Sequence, residues 1–272
     1  MSENCTHNCE SCGENCTERS EPQSLLEKLN AKSHVGKVIA TVSGKGGVGK
    51  STVTSLLAVS AARRGKRVAV MDADVTGPSI PMAFGVHQRP IGNDDGIVAP
   101  VTAGGIKIMS INLLLENETD PVVWRGPILA GTVKQFWTDV VWGDVDTMFV
   151  DMPPGTGDVP LTVFQSIPVD GVVVVTTPQD LVGMIVEKAV KMAGMMDIPV
   201  LGFVENMSWY ACPHCGEKLP VFGESRVGQI AEKYGVTNVV RLPMDPKMAE
   251  AFDRGLVETA DTSAIEAFAE KL

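Results

Sequence analysis

Short apolar runs alternate along this chain with longer stretches in which apolar residues return every three or four positions. The runs Val38–Val42, Val68–Met71, Ile106–Ile111, Thr147–Val150, Gly171–Thr176 and Val200–Val204 are rich in β-branched residues and bounded by Gly, Asp or Pro. Such continuous apolar runs read as strands buried on both faces. The helical spacing falls at Thr52–Arg64, Ile128–Val140, Leu181–Met195, Ser225–Tyr234, Met248–Arg254 and Ser263–Lys271. Asn93-Asp94-Asp95-Gly96 predicts a turn. Strands that alternate with helices predict an α/β fold: a mainly parallel sheet with helices on both faces. The pattern fails before Val35. Residues 1–34 are rich in Cys, Asn, Glu, Ser and Thr, with almost no large apolar residue before Leu25. That stretch reads as a metal-binding tail, too polar to build a core. Residues 35–272 read as one domain, without internal repeats.

The loop after the first run carries the chemistry. Gly44-Lys45-Gly46-Gly47-Val48-Gly49-Lys50-Ser51-Thr52 lies between a strand and a helix, the context in which a G-x-x-x-x-G-K-[ST] pattern cradles phosphates. Its glycines let backbone N–H groups turn inward, and the helix N-terminus adds partial positive charge. Lys50 is expected on the β- and γ-phosphates, and the Ser51 hydroxyl on Mg²⁺. Lys45 leaves the loop near the γ-phosphate edge, where the nucleotide of a dimer partner also comes within reach. A bare Gly-rich turn would not need this flanking order.

Two acidic motifs stand at the ends of predicted strands, Asp72-Ala73-Asp74-Val75-Thr76-Gly77-Pro78-Ser79 and Asp151-Met152-Pro153-Pro154-Gly155-Thr156-Gly157-Asp158. Strand C-termini form the ligand edge of an open parallel sheet. Asp72 and Asp74 suit a carboxylate on a Mg²⁺-bound water and one that orients the attacking water. Asp151 suits a Walker-B carboxylate, followed by a segment that senses the γ-phosphate. Either motif alone also reads as a helix cap. Together with the P-loop, in this chain order, they read as a nucleotide site.

Charge and cysteine usage narrow the function. A net charge of −10 opposes broad nucleic-acid binding, which needs clustered cations. No run approaches the ~20 apolar residues of a membrane span, and the N-terminus lacks a secretory pattern, so a cytoplasmic address is expected. The six cysteines form two groups, Cys5/Cys9/Cys12/Cys16 and Cys212/Cys215, which suggests metal or redox chemistry rather than bridges. Cys212-Pro213-His214-Cys215-Gly216 is a metal knuckle: two intervening residues turn both thiolates to one metal. His214 is expected to point outward and ligate nothing. A closed site needs four ligands, which a two-fold dimer would bring together. Zinc, an iron–sulfur cluster and a pair of buried structural cysteines all fit this spacing.

With Trp124-Arg125-Gly126-Pro127, Thr176-Thr177-Pro178-Gln179 and Glu205-Asn206-Met207-Ser208, these motifs resemble the Mrp/ApbC (Nbp-type) group of iron–sulfur carrier ATPases. That group lies in the deviant-Walker-A class of P-loop NTPases, with MinD, ParA and the nitrogenase iron protein. The matching residues span roughly 36–255. The resemblance implies an ATP-dependent homodimer with Lys45 acting on the partner's nucleotide. It implies Asp74 as the water-orienting residue, Asp72 and Asp151 in the outer Mg²⁺ shell, and Asn206 on the adenine. It also implies a [4Fe–4S] cluster shared by Cys212 and Cys215 of two copies and delivered to apo iron–sulfur proteins, without nucleic-acid or membrane partners. Extended members of the group have a four-cysteine tail of wider spacing than Cys5-x3-Cys9-x2-Cys12-x3-Cys16. The tail is therefore read as an iron–sulfur centre, with zinc or a loose metal-acquisition tail as alternatives. A MinD- or ParA-like positioning ATPase leaves the cysteines without a role, and the C-terminal helix lacks a basic amphipathic face for membranes. An ATP-gated redox protein is the other alternative.

Overall fold

The computed structural model describes residues 25–75, 77–117, 126–179 and 184–272. Cys5, Cys9, Cys12, Cys16, Thr76, Trp124, Arg125 and the start of the helix predicted from Leu181 lie outside the described residues. The parallel sheet predicted from the apolar runs is present. Its strands are β1 (Val38–Ser43), β2 (Val68–Asp72), β3 (Lys107–Met109), β4 (Thr147–Asp151), β5 (Gly171–Thr176), β6 (Val200–Glu205) and β7 (Val239–Arg241). They form one seven-stranded sheet in the order β7-β6-β5-β1-β4-β2-β3. Every pairing within it is parallel.

All residues of β1, β2, β4 and β5 are buried, because helices cover both faces. The main helices are α1 (Lys50–Arg63), α2 (Ile80–Ala83), α3 (Gly126–Thr138), α4 (Asp158–Ser166), α5 (Met184–Met195), α6 (Val227–Lys233), α7 (Pro246–Asp253) and α8 (Ser263–Ala269). Strand periodicity divides the core in two. Val38, Ala40 and Val42 of β1 join α3, α4, α5 and α6 in one apolar layer, whereas Ile39 joins α1, α2 and α8 in the other. Burial of these layers is the main force holding the sheet between its helices. Among the described residues, no helix is long and apolar enough to cross a membrane.

Several boundaries differ from the sequence expectation. The chain leaves α3 at Thr138, and Val140–Val141 pairs in parallel with Ile97–Val98, the second strand of a hairpin around the expected Asn93–Gly96 turn. The run at Ile106–Ile111 yields only a three-residue strand and then a 3-10 turn from Ile111 to Leu114. Helix α7 begins at Pro246, where Asp245 caps it by accepting the Lys247 N–H at 2.9 Å.

Residues 27–35 bond to the domain rather than hanging from it. The Glu27 N–H donates to the Ser166 carbonyl at 2.8 Å, and the Trp137 indole donates to the Glu27 carbonyl at 3.1 Å. His34–Val35 pairs in parallel with Asp144–Val145. These contacts involve the C-terminal ends of α3 and α4, at the edge of the sheet opposite the P-loop.

Candidate nucleotide and cysteine sites

Strand β1 ends at Ser43 and α1 begins at Lys50, so the whole glycine loop is a connection at the ligand edge of the sheet. Gly47 and Gly49 have φ of 79° and 78°, a left-handed backbone that side chains disfavour. Gly49 is the N-cap of α1, which has neither a side-chain cap nor an acid in its first turn. The first N–H groups of α1 are therefore available to phosphate oxygens, in a field that favours anions.

Lys50 is 6% exposed, with Nζ 2.9 Å from Asp151 Oδ1 and 3.6 Å from Asp74 Oδ2. Neither contact is aligned as a hydrogen bond, so the buried ammonium, though ion-paired, lacks aligned acceptors for its donors among the described residues. Phosphate oxygens in the loop would supply them.

Asp72 and Asp151 are the last residues of adjacent strands and face each other in register. Asp151 accepts from the Ser51 hydroxyl at 2.6 Å and the Thr54 hydroxyl at 2.7 Å. Asp72 accepts from Ser110 Oγ and from the Asp74 N–H, each at 3.1 Å. Burial, and then the neighbouring Asp151 charge, push the Asp72 carboxyl well above its ordinary range, with Lys50 opposing. Ser51 and the register-paired carboxyls of Asp151 and Asp72 offer only oxygen donors, which suit a hard divalent cation such as Mg²⁺.

Thr54 and Ser110 were not singled out from the sequence. Thr54 lies three residues after Ser51 on the same helix face, a signal that could have found it. Ser110 is 38 residues from Asp72, and no local pattern joins them.

A cavity of about 730 Å³ opens from the loop, and its lining includes Lys45, Asp74, Asn206, Met207, Tyr210 and Phe252. Lys45 is half-buried there, with its carbonyl accepting from Ser43 Oγ at 3.0 Å. Asn206 follows β6 directly and is 7% exposed. Its Nδ2 donates to the Val48 carbonyl at 3.0 Å, so its side chain braces the P-loop at the edge of the cavity.

Six residues beyond Asn206, the knuckle sits on a small antiparallel hairpin, Tyr210–Ala211 with Lys218–Leu219. The Cys212 N–H donates to the Glu217 carbonyl at 2.9 Å, and the Gly216 N–H returns to the Cys212 carbonyl at 2.8 Å. Gly216, at φ 73°, closes the turn. Backbone N–H groups of Cys215 and then His214 point at the Cys212 sulfur and hold its pKa below the usual thiol value, which favours the metal-binding thiolate. Cys215 and His214 are exposed. Among the described residues, no group of three or more Cys, His, Asp or Glu gathers to hold a metal, so the knuckle offers two thiolates per chain.

Comparison with known proteins agrees with this geometry. An iron–sulfur cluster carrier protein of Methanocaldococcus jannaschii is 43% identical over 259 residues, covering 93% of this chain and 89% of the relative. One from Methanococcus maripaludis is 41% identical and covers 98% and 95%. The solved structure of a nucleotide-binding protein from Archaeoglobus fulgidus, in complex with ADP, superposes with a TM-score of 0.78 at 43% identity, covering 86% of this chain and 92% of that one. The cell-division ATPase MinD of Pyrococcus furiosus, at 21% identity and a TM-score of 0.58 over 87% of this chain and 98% of its own, shares the fold. The model of the ParA family, described as NUBPL iron-transfer P-loop NTPases, matches residues 34–272, and this chain belongs to that family.

Proposed function

We propose that this protein is a cytoplasmic, ATP-hydrolysing carrier. In this reading it holds a [4Fe–4S] cluster between the Cys212–Cys215 knuckles of two copies and transfers it to apo iron–sulfur proteins. The observation that carries the proposal is the joining of two sites by one short segment. Asn206 braces the phosphate loop, and the two-thiolate knuckle begins six residues later. The naming of the relatives as cluster carriers supports the same reading.

Lys50 and the first N–H groups of α1 would bind the β- and γ-phosphates. Mg²⁺, held near Ser51, Asp72 and Asp151, would supply charge neutralisation at those phosphates. Asp74, 13% exposed at the cavity wall, would orient the attacking water. Lys45 would reach across a homodimer to the charge that develops on the partner's γ-phosphate. Asn206 would also contact the adenine from its place at the cavity edge. The cluster is cargo, ligated by four thiolates, two from each copy. The tail cysteines Cys5, Cys9, Cys12 and Cys16 would hold a separate iron–sulfur centre.

The test is anaerobic reconstitution with iron and sulfide, followed by iron analysis, sedimentation and activation of an apo-acceptor. Cys212→Ala or Cys215→Ala should abolish transfer and weaken the metal-loaded dimer. Replacing all four tail cysteines should leave transfer intact. Transfer that survives without Cys212 and Cys215 but fails without the tail cysteines would reverse the assignment.

A further inference from the structure

The segment joining the two sites is held by a charge network that the nucleotide chemistry does not use. Glu205, the last residue of β6, is a carboxylate only 2% exposed. It accepts from Ser208 Oγ at 2.7 Å and Ser225 Oγ at 2.9 Å, and Arg241 Nε of β7 lies 3.4 Å from its Oε1. A buried carboxylate needs such a counter-charge, so Glu205 fixes where Arg241 points. The Arg241 guanidinium then lies 5.5 Å from the centre of the Trp209 ring, and Lys218 Nζ lies 4.5 Å from the same centre. Both are cation–π distances.

Trp209 thereby touches three parts of the molecule. Arg241 belongs to the central sheet, and Lys218 to the second strand of the cysteine hairpin, opposite Ala211. The Trp209 carbonyl accepts from the Met244 N–H at 2.7 Å, and Met244 lines the nucleotide cavity. Between Asn206 and Ser208, Met207 is held at φ 55°, a conformation that a non-glycine residue keeps only when its surroundings impose it. Tyr210, the next residue after Trp209, lines the cavity from the hairpin side.

We propose that Trp209 is the positioning residue that couples the nucleotide cavity to the cysteine knuckle. Approached by both Arg241 and Lys218, its ring fixes the orientation of the hairpin relative to the sheet. A shift of Asn206, Met207 or Met244 around a bound nucleotide is passed through it to Cys212 and Cys215. The inference rests on the carrier reading above, in which nucleotide and cysteines work together, and it assigns that coupling to one side chain.

The test is the alkylation rate of Cys212 and Cys215 in the full-length protein, resolved by peptide mass spectrometry, with and without ATP, alongside ATP affinity. ATP should change the wild-type rate by about fivefold, the low end of typical coupling between sites. Trp209→Ala and Lys218→Met should bring the ratio to about one, while Trp209→Phe, which keeps an aromatic face for both cations, should retain most of the response. ATP affinity should remain within about twofold in all three, since neither side chain lines the cavity. If Trp209→Ala does not fold, the exposed Lys218→Met decides. An unchanged ratio in the variants, a wild type indifferent to ATP, or a Phe variant that behaves like Ala overturns the proposal. Failure of the carrier reading shows separately, as cluster transfer that does not need Cys212 or Cys215.

Discussion

Gly49→Ala tests the loop geometry in two ways at once. A Cβ built at Gly49 would lie 2.2 Å from Asn206 Nδ2, and the backbone there has φ of 78°. Holding alanine in the left-handed region costs about 1–2 kcal/mol. The Cβ also expels the Asn206 amide, which breaks its 3.0 Å bond to the buried Val48 carbonyl. An unsatisfied buried acceptor costs about 1–3 kcal/mol. The substitution should therefore destabilise the protein by about 2–5 kcal/mol in total. Asn206→Ala alone removes the same hydrogen bond and should cost about 1–3 kcal/mol. The double variant has no amide to expel, so it should fall short of the summed single losses by about the energy of that one bond. The assay is urea unfolding of all four proteins without nucleotide, so that contacts to a bound base do not enter. Additivity within about 0.5 kcal/mol would refute the contact between Asn206 and the loop. A Gly49→Ala protein as stable as wild type would refute the left-handed loop as well.

Lys50→Ala should lower ATP affinity by at least about tenfold in an equilibrium titration, because a charge-assisted partner of the phosphates is lost. Lys45→Ala should bind ATP nearly normally yet lose about a thousandfold in kcat, as for a charge supplied across a dimer to the transition state. Normal hydrolysis would remove that role. Asp74→Asn should lower kcat by about a hundredfold with KM little changed, whereas equal losses in affinity and turnover would place it in ground-state binding. At the opposite edge of the sheet, the Arg67 guanidinium and backbone N–H hold the Asp146 carboxyl at about 2, below its usual 3.8. A depressed carboxylate stabilises the fold above its unfolded pKa and loses that contribution as pH falls through the folded one. Asp146→Asn should therefore be slightly less stable than wild type at neutral pH, with the two melting curves converging as pH falls from about 4 to about 2. A gap as wide at pH 2 as at neutral pH would mean the loss is not electrostatic.

What the sequence determined by itself is local or periodic. The buried strands announce themselves because parallel strands covered on both faces must be mostly apolar, as β1 and β5 are. The P-loop is legible because its glycines, Lys50 and Ser51 work within one turn of chain. So is the knuckle, whose thiolates are brought together by two intervening residues. Helix α4 escaped notice because Pro160 reads as a breaker, although the first turn of a helix tolerates proline. Strand β7 escaped because three residues carry no period, and pairing with β6 makes it a strand. Tertiary structure alone placed Asp72 beside Asp151 and Ser110 against Asp72, and brought Arg241 and Lys218 to the same indole ring. Those contacts join residues far apart in the chain, and strand order decides them. Strand order follows from how the sheet packs its helices rather than from any window of sequence.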